Sequence, residues 1–304
     1  MFKVRSAFTM LELIFVIVII GILSKFGVEF VAQSYKNFIF SNINNTLQSQ
    51  SATAVEFIAS RLQHRIKDSI IARKDNGDFK ALASSDYDQD ATILEWIGTN
   101  VEGFRGDYLP YWSGVIDLDL CNSTKIVSPE TNTTKINSQI GVLSNGGSTI
   151  DDSAIYFIGS NTDITTGYGW DTNNLATNLA MIDIQQGAMH PIRKDATNEN
   201  EFIPINGTTG ADNNFTGVNV YEYYKLAWSA YALVHNTTDK SLRLHYDYQP
   251  WKNESYANAK NFLLMENVSS FRFMAVGSIV KIQVCVESDL TNEEYSICKE
   301  KTIY

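Results

Sequence analysis

Apolar side chains follow three regimes along this chain. The first is a solid block: from Phe8 to Leu23 only Thr9, Glu12 and Gly21 interrupt an apolar run. A run of that length is near the lower limit for a helix that crosses a bilayer, where roughly 17–25 residues are usual. The second regime has helical spacing. Phe26, Phe30, Phe38, Ile39, Ile43, Leu47, then Val55, Ile58, Leu62, Ile66 and Ile70 recur mainly at intervals of three and four, the period of one helix face. The stripe thins to Ser51 and Ala54, and Asn42, Asn44, Asn45 and Thr46 have weak helix propensity. The pattern predicts one long helix over 8–71, soft near Gly27 and in the Asn-rich stretch. Lys25 can snorkel to the outer headgroups. Arg61, His64, Arg65, Lys67 and Asp68 read as a solvated face.

The third regime begins near residue 93, where β-branched and aromatic residues alternate with turn signals. Strands are expected at 111–120, 153–158, 179–184, 221–234 (one long or two short), 242–248, 262–273 and 279–286. The Asn-, Thr- and Gly-rich stretches 122–150, 159–178 and 193–219 read as surface loops, as do 74–90 and 249–260. The fold class is therefore α+β: a long N-terminal helix packed on an antiparallel sheet.

The apolar block carries two anomalies. Lys3 and Arg5 precede it, which places the N-terminus in the cytoplasm and the remainder outside. A secretory signal puts its small-residue cleavage site after the apolar region. Here the small residue, Ala7, comes before it, so cleavage there would leave the membrane helix on the mature chain. Glu12 is the second anomaly. A carboxylate within the membrane costs roughly 2.5–3.5 kcal/mol on insertion scales and calls for a partner.

A short basic leader, a small residue at the cut, Phe8 as the new N-terminus and Glu12 five residues into the mature chain resemble the prepilin signal of type IV pilins and type II secretion pseudopilins. Ala7 departs from the family's usual Gly but is small enough for cleavage. The resemblance implies processing between Ala7 and Phe8 by a prepilin peptidase, N-methylation of Phe8, and pairing of Glu12 with the N-terminal amine of a neighbouring subunit during assembly. It implies a leader at 1–7, a transmembrane segment at 8–30, an extramembrane half of the helix at 31–72 and a β-rich globular domain at 73–304. The membrane half would pack on neighbouring subunits and the distal half on its own domain. The Asn267-Val268 pair before Phe271 and Phe273, followed by the Val-rich segment 279–286, loosely resembles the C-terminal sheet of J-type minor pseudopilins and W-type minor pilins. Glu12 speaks against the K-type tip pseudopilin, which typically lacks that glutamate.

Composition narrows the function. The chain has 304 residues, 44% hydrophobic and 12% aromatic, which suits a folded protein. Its net charge of −10 becomes −12 once Lys3 and Arg5 are removed, and an acidic exterior disfavours nucleic acid. Of three cysteines, Cys285 and Cys298 lie close in sequence and would form a disulfide after export, leaving Cys121 odd. The alternative of three buried, reduced thiols stays open. His64, His190, His235 and His245 show no metal spacing, and no nucleophile elbow, phosphate loop or dinucleotide fingerprint occurs. No enzyme activity and no cofactor are expected. Asp86, Asp88 and Asp90 resemble the opening of a calcium loop, but Ala91 and Ile97 stand where Gly and Glu are needed, so an ordinary acidic loop is the better reading. The pair Asp151 and Asp152 is weaker still. Asn132 and Asn214 fit an acidic-x-Asn-x-Thr glycosylation pattern that such loops also produce by chance.

The expected function is that of a minor pilin or pseudopilin that enters or primes a type II secretion pseudopilus or type IV pilus. Its partners would be other pilins or pseudopilins, the prepilin peptidase, the assembly platform and the inner membrane, with no nucleic acid. The location would be the inner membrane, single-pass, with the globular domain periplasmic or on an extracellular filament. Two alternatives differ in class: an adhesin or DNA-uptake pilin whose loops at 122–150 and 193–219 bind a ligand, and an unrelated exported protein on a signal anchor.

Overall fold

The computed structural model describes residues 9–160, 162–171, 181–288 and 295–304. The chain divides into two compact units, Met1–Ser49 and Gln50–Tyr304. In the first, helix α1 (Met10–Leu62) runs unbroken through Gly27 and the Asn-rich stretch. The expected soft points do not appear, because adding a residue to a formed helix is far easier than nucleating one. Side chains also bridge successive turns there: Thr46 Oγ1 donates to the Asn42 carbonyl and Gln48 Nε2 to Asn44 Oδ1, each at 3.0 Å. The helix is long and apolar enough near its N-terminus to cross a membrane, and its large apolar side chains there are exposed.

The second unit begins inside α1. Val55, Ile58 and Leu62 are buried, and Phe57 meets Phe262 edge-on at 5.9 Å. The helix stops at Leu62, nine residues before the expected end at 71. No proline or glycine ends it. Instead the backbone is recruited by a strand: the Ile66 amide donates to the Ile97 carbonyl, the Thr99 amide to the His64 carbonyl, and Ser69 Oγ accepts the Ile97 amide. Ile66, Ile70 and Ile71 are still buried, but from extended backbone. The solvated-face reading of 61–73 fails at Arg65 and Arg73, both buried.

Strand β1 (Ile71–Arg73) opens an antiparallel six-stranded sheet with β2 (Phe79–Ala81), β3 (Ile93–Gly98) and three later strands. A second sheet has five strands: β4 (Ile126–Val127), β5 (Ala154–Phe157), β6 (Met189–Lys194), β7 (Glu201–Pro204) and β8 (Tyr224–Ala227). The first sheet is completed by β9 (Ser229–Asn236), β10 (Ser241–Tyr248) and β11 (Lys260–Met265), in the order β11-β10-β9-β3-β1-β2. The chain is an α+β protein with antiparallel sheets.

Period-two alternation explains how the sheets share a core. Ala154 and Tyr156 of β5 join Ala230 and Ala232 of β9 in one cluster, into which Tyr168, Trp170 and Trp251 insert. Small residues on the strands leave room for those large rings. Ile155 and Phe157 point the other way, into a second cluster with Ile192, Phe202 and Leu226. That cluster is covered by helix α3 (Thr133–Leu143) through Ile136 and Ile140. The intervening helix α2 (Val101–Arg105) is one short turn capped by Asn100.

Several expected elements differ. The stretch 122–150 holds α3, whose start is capped by Asn132 accepting the Lys135 amide at 2.8 Å. The stretch 193–219 supplies the end of β6 and all of β7. No strand forms at 111–120 beyond a bridge at Val115, since Asp117 turns the chain by accepting the Asp119 and Leu120 amides. Of 179–184, residues 181–183 are helical and 179–180 lie outside the described residues.

A three-stranded antiparallel sheet closes the chain: β12 (Val268–Val276), β13 (Ile279–Glu287) and β14 (Ser296–Ile303). Cys285 and Cys298 face each other in the β13–β14 register and are joined by a disulfide. This sheet reaches the distal helix: Lys301 pairs with Glu56 at 2.7 Å, and Arg65 Nη2 donates to the Ser278 carbonyl at 2.6 Å.

Candidate functional site

Glu12 lies in the first turn of α1, and its local chemistry starts with Thr9. Thr-x-x-Glu is the sequence of a capping box, in which two side chains satisfy amides that the helix start leaves open. Thr9 N–H and Oγ1–H both donate to Glu12 Oε2 at 3.0 Å, and the Glu12 amide donates back to Thr9 Oγ1 at 3.4 Å. The other carboxylate oxygen, Oε1, has no partner among the described residues. One oxygen thus stabilises the helix end and one is left for something else. Thr9 is a functional neighbour that the reading of Glu12 alone misses, though the motif spells it out. Ala7 and Phe8 lie outside the described residues.

The remaining candidates are dispersed. His190 is fully buried beside the rings of Phe157 and Phe215, and burial pushes its imidazole down to about 3. His235 bonds the Val268 carbonyl, His245 the Tyr256 carbonyl, and His64 lies at the end of the helix. The three aspartates of the acidic loop do not converge: Asp86 pairs with Lys80 at 2.6 Å and Asp90 with Lys74 at 3.1 Å. Among the described residues no group of three His, Cys, Asp or Glu could hold a metal ion. Cys121 is unbridged and half-buried, accepts the Val127 amide, and is pushed up by burial. The Asn132 amide donates to Glu199 at 2.7 Å while its carbonyl caps α3, so that acceptor site is occupied; Asn214 is exposed.

One buried ionic cluster has no precedent in the sequence reading. Arg73 and Glu95 pair diagonally across β1 and β3, and both are almost fully buried. Tyr248 donates to the second Glu95 oxygen at 2.9 Å, and Arg73 spends its remaining donors on the carbonyls of Gly77 and Trp170. Each guanidinium nitrogen and both carboxylate oxygens have a partner within the cluster, which makes it a fastener between strands and loops. The chain matches no known protein-family model, no curated protein and no solved structure. What it does must therefore be argued from its own residues.

Proposed function

We propose that this chain is a structural minor pilin or pseudopilin, anchored by α1 and assembled through Glu12 into a type II secretion pseudopilus or a type IV pilus. The observation that carries the reading is a carboxylate with one unused oxygen, one turn into an exposed apolar helix, behind a basic head and an Ala7-Phe8 junction. Cleavage at that junction makes the Phe8 amine a cation at the membrane edge, four residues before Glu12 in the sequence. In a filament the amine of one subunit meets Oε1 of the next. Two charges that are each costly in lipid then offset one another only when subunits are in register. The hairpin of β12 and β13, entered through Asn267 and Val268, supports the J-type or W-type subtype within that reading.

The test is the mass of the N-terminal peptide from protein in its native membrane. A peptide beginning at methylated Phe8 is the expected result. A peptide beginning at Met1 means a retained leader and a plain signal anchor. A start beyond Leu23 means a released exported domain. Either of the last two overturns the proposal.

A further inference from the structure

Where the end of α1 meets α2 and β8, the globular unit has an open cleft of about 600 Å³, within the range of roughly 300–1,000 Å³ seen for small-molecule sites. Its wall is built from Phe104, Trp112, Val115, Ile158 and Tyr223. The aromatic part of the wall presents carbon, because the polar atoms of Trp112 and Tyr224 are bonded elsewhere. Trp112 Nε1 donates to the Asn100 carbonyl at 3.0 Å, and the Tyr224 hydroxyl bonds Ser128 Oγ at 2.8 Å. Phe104 and Tyr224 pack against the Trp112 ring at 4.9 and 5.5 Å, which holds that surface in place. Phe104, Ile158 and Tyr223 are each about half exposed, so the apolar wall is open to solvent.

The cleft's polar rim is cationic. Arg105 and Lys225 line it beside a neutral His64, and none of the three has an ion-pair partner among the described residues. Lys225 has only a long contact, 3.5 Å, to the Arg65 carbonyl. Glu102 pairs with Arg61 at 3.3 Å, while Asp68 accepts the Tyr156 hydroxyl at 3.2 Å and its charge offsets part of that on Lys225. Arg65 beneath is buried and bonded only to carbonyls. Burial, then the charges of Lys67 and Arg65, hold Lys225 below the usual lysine range, and burial, then Arg105, lowers His64. Arg105 and Lys225, with no ion-pair partner among the described residues, make the cleft attractive to an anion in a chain of net charge −10. The surrounding acidic field disfavours polyanions and leaves a small monoanion as the ligand that fits.

We propose that this cleft binds a free amphipathic carboxylate, an organic acid with one anionic head and an aromatic or branched apolar body. The head sits between Arg105 and Lys225, and the body lies against Trp112 and Phe104. The proposal does not depend on the filament reading.

The experiment is calorimetric titration of the full chain in lipid nanodiscs with 3-phenylpropionate, with empty nanodiscs as the blank. The expected result is saturable binding at one site, with no heat from the uncharged 3-phenylpropanamide. Arg105→Gln with Lys225→Gln removes both charge-assisted hydrogen bonds to the head and should weaken binding at least about tenfold. Ile158→Trp, a substitution at a half-exposed position, fills the cleft without changing charge and should also abolish binding if the double variant fails to fold. Equal binding of acid and amide overturns the proposal, as do unchanged affinity in a folded variant and the absence of saturable binding. A tighter response to an acidic peptide than to 3-phenylpropionate also overturns it, in favour of a protein partner.

Discussion

The two oxygens of Glu12 make its cap role and its charge role separable by substitution. Thr9→Ala removes the hydroxyl that donates to Oε2 and accepts the Glu12 amide, and leaves the carboxylate in place. Losing a Thr cap costs about 1 kcal/mol, roughly fivefold in helix-end opening. Glu12→Gln does the converse. Glutamine is a competent third residue of a capping box, so its carbonyl can still accept the Thr9 amide while the charge is gone. If Oε1 pairs with the amine of a neighbouring subunit, that variant leaves a cation uncompensated at the membrane, a cost of roughly 2.5–3.5 kcal/mol on insertion scales, or about a hundredfold in assembly. The assay is recovery of tagged variants in sheared filaments or detergent-stable complexes from the native host, normalised to membrane abundance. Glu12→Gln should fall about a hundredfold and Thr9→Ala by no more than about fivefold. Equal loss in the two variants, or wild-type recovery of Glu12→Gln, would show that Glu12 is only a helix cap and would sink the assembly reading.

Three further outcomes follow from the globular unit. His190 is held at about 3 by burial against an ordinary 6.5, so the unfolded chain takes up a proton first as pH falls and stability declines from pH 6.5 down to about 3. That loss is about 2 kcal/mol by pH 5; His190→Gln should lack it in urea melts at pH 7.5 and 5, and identical acid losses would refute the assignment. Reduction of the Cys285–Cys298 bridge, which closes a short loop, should cost about 3 kcal/mol, read as a fall of about 6–12 °C in Tm by calorimetry with and without reductant; an unchanged Tm would mean the bridge is absent or idle. Glu95→Leu leaves Arg73 buried without its counter-charge and should destabilise by about 3–5 kcal/mol, whereas Arg73→Met with Glu95→Leu should recover most of that loss in chemical denaturation; a mild single variant would contradict the fastener role.

The helix and its apolar start were readable because Phe8 to Leu23 is apolar in composition and needs no tertiary knowledge. The end of that helix was not. Ile66 and Ile70 continue the helical period, yet the Ile97 carbonyl accepts the Ile66 amide and the Leu82 amide donates to the Ile70 carbonyl, and contacts distant in sequence outweigh weak local propensity. Helix α3 had its signal in Asn132, Ile136 and Ile140, a cap followed by a four-residue apolar spacing, but the Asn- and Thr-rich composition around it argued for a loop. The β13 and β10 strands were legible from alternation, while the short β4 and β7 give no local pattern of useful length. Thr9 was legible as the partner of Glu12. The cleft was not, since His64, Arg105 and Lys225 come from three separated elements and only the fold brings them together.

That the compact unit starts at Gln50 gives α1 a mechanical consequence. Val55, Ile58 and Leu62 of the helix are buried, and each such side chain contributes about 1.5–3 kcal/mol. Their sum rivals the roughly 5–15 kcal/mol that keeps a whole domain folded. A pull on the helix from Gln50 onward is therefore borne by packed side chains in the hydrophobic interior. Tension reaches these contacts along the helix axis, as shear distributed over several contacts. In optical tweezers the chain should yield in a single rip that takes the distal helix and the core together. An early, separate extension of the helix would instead mean that anchor and domain part independently under load.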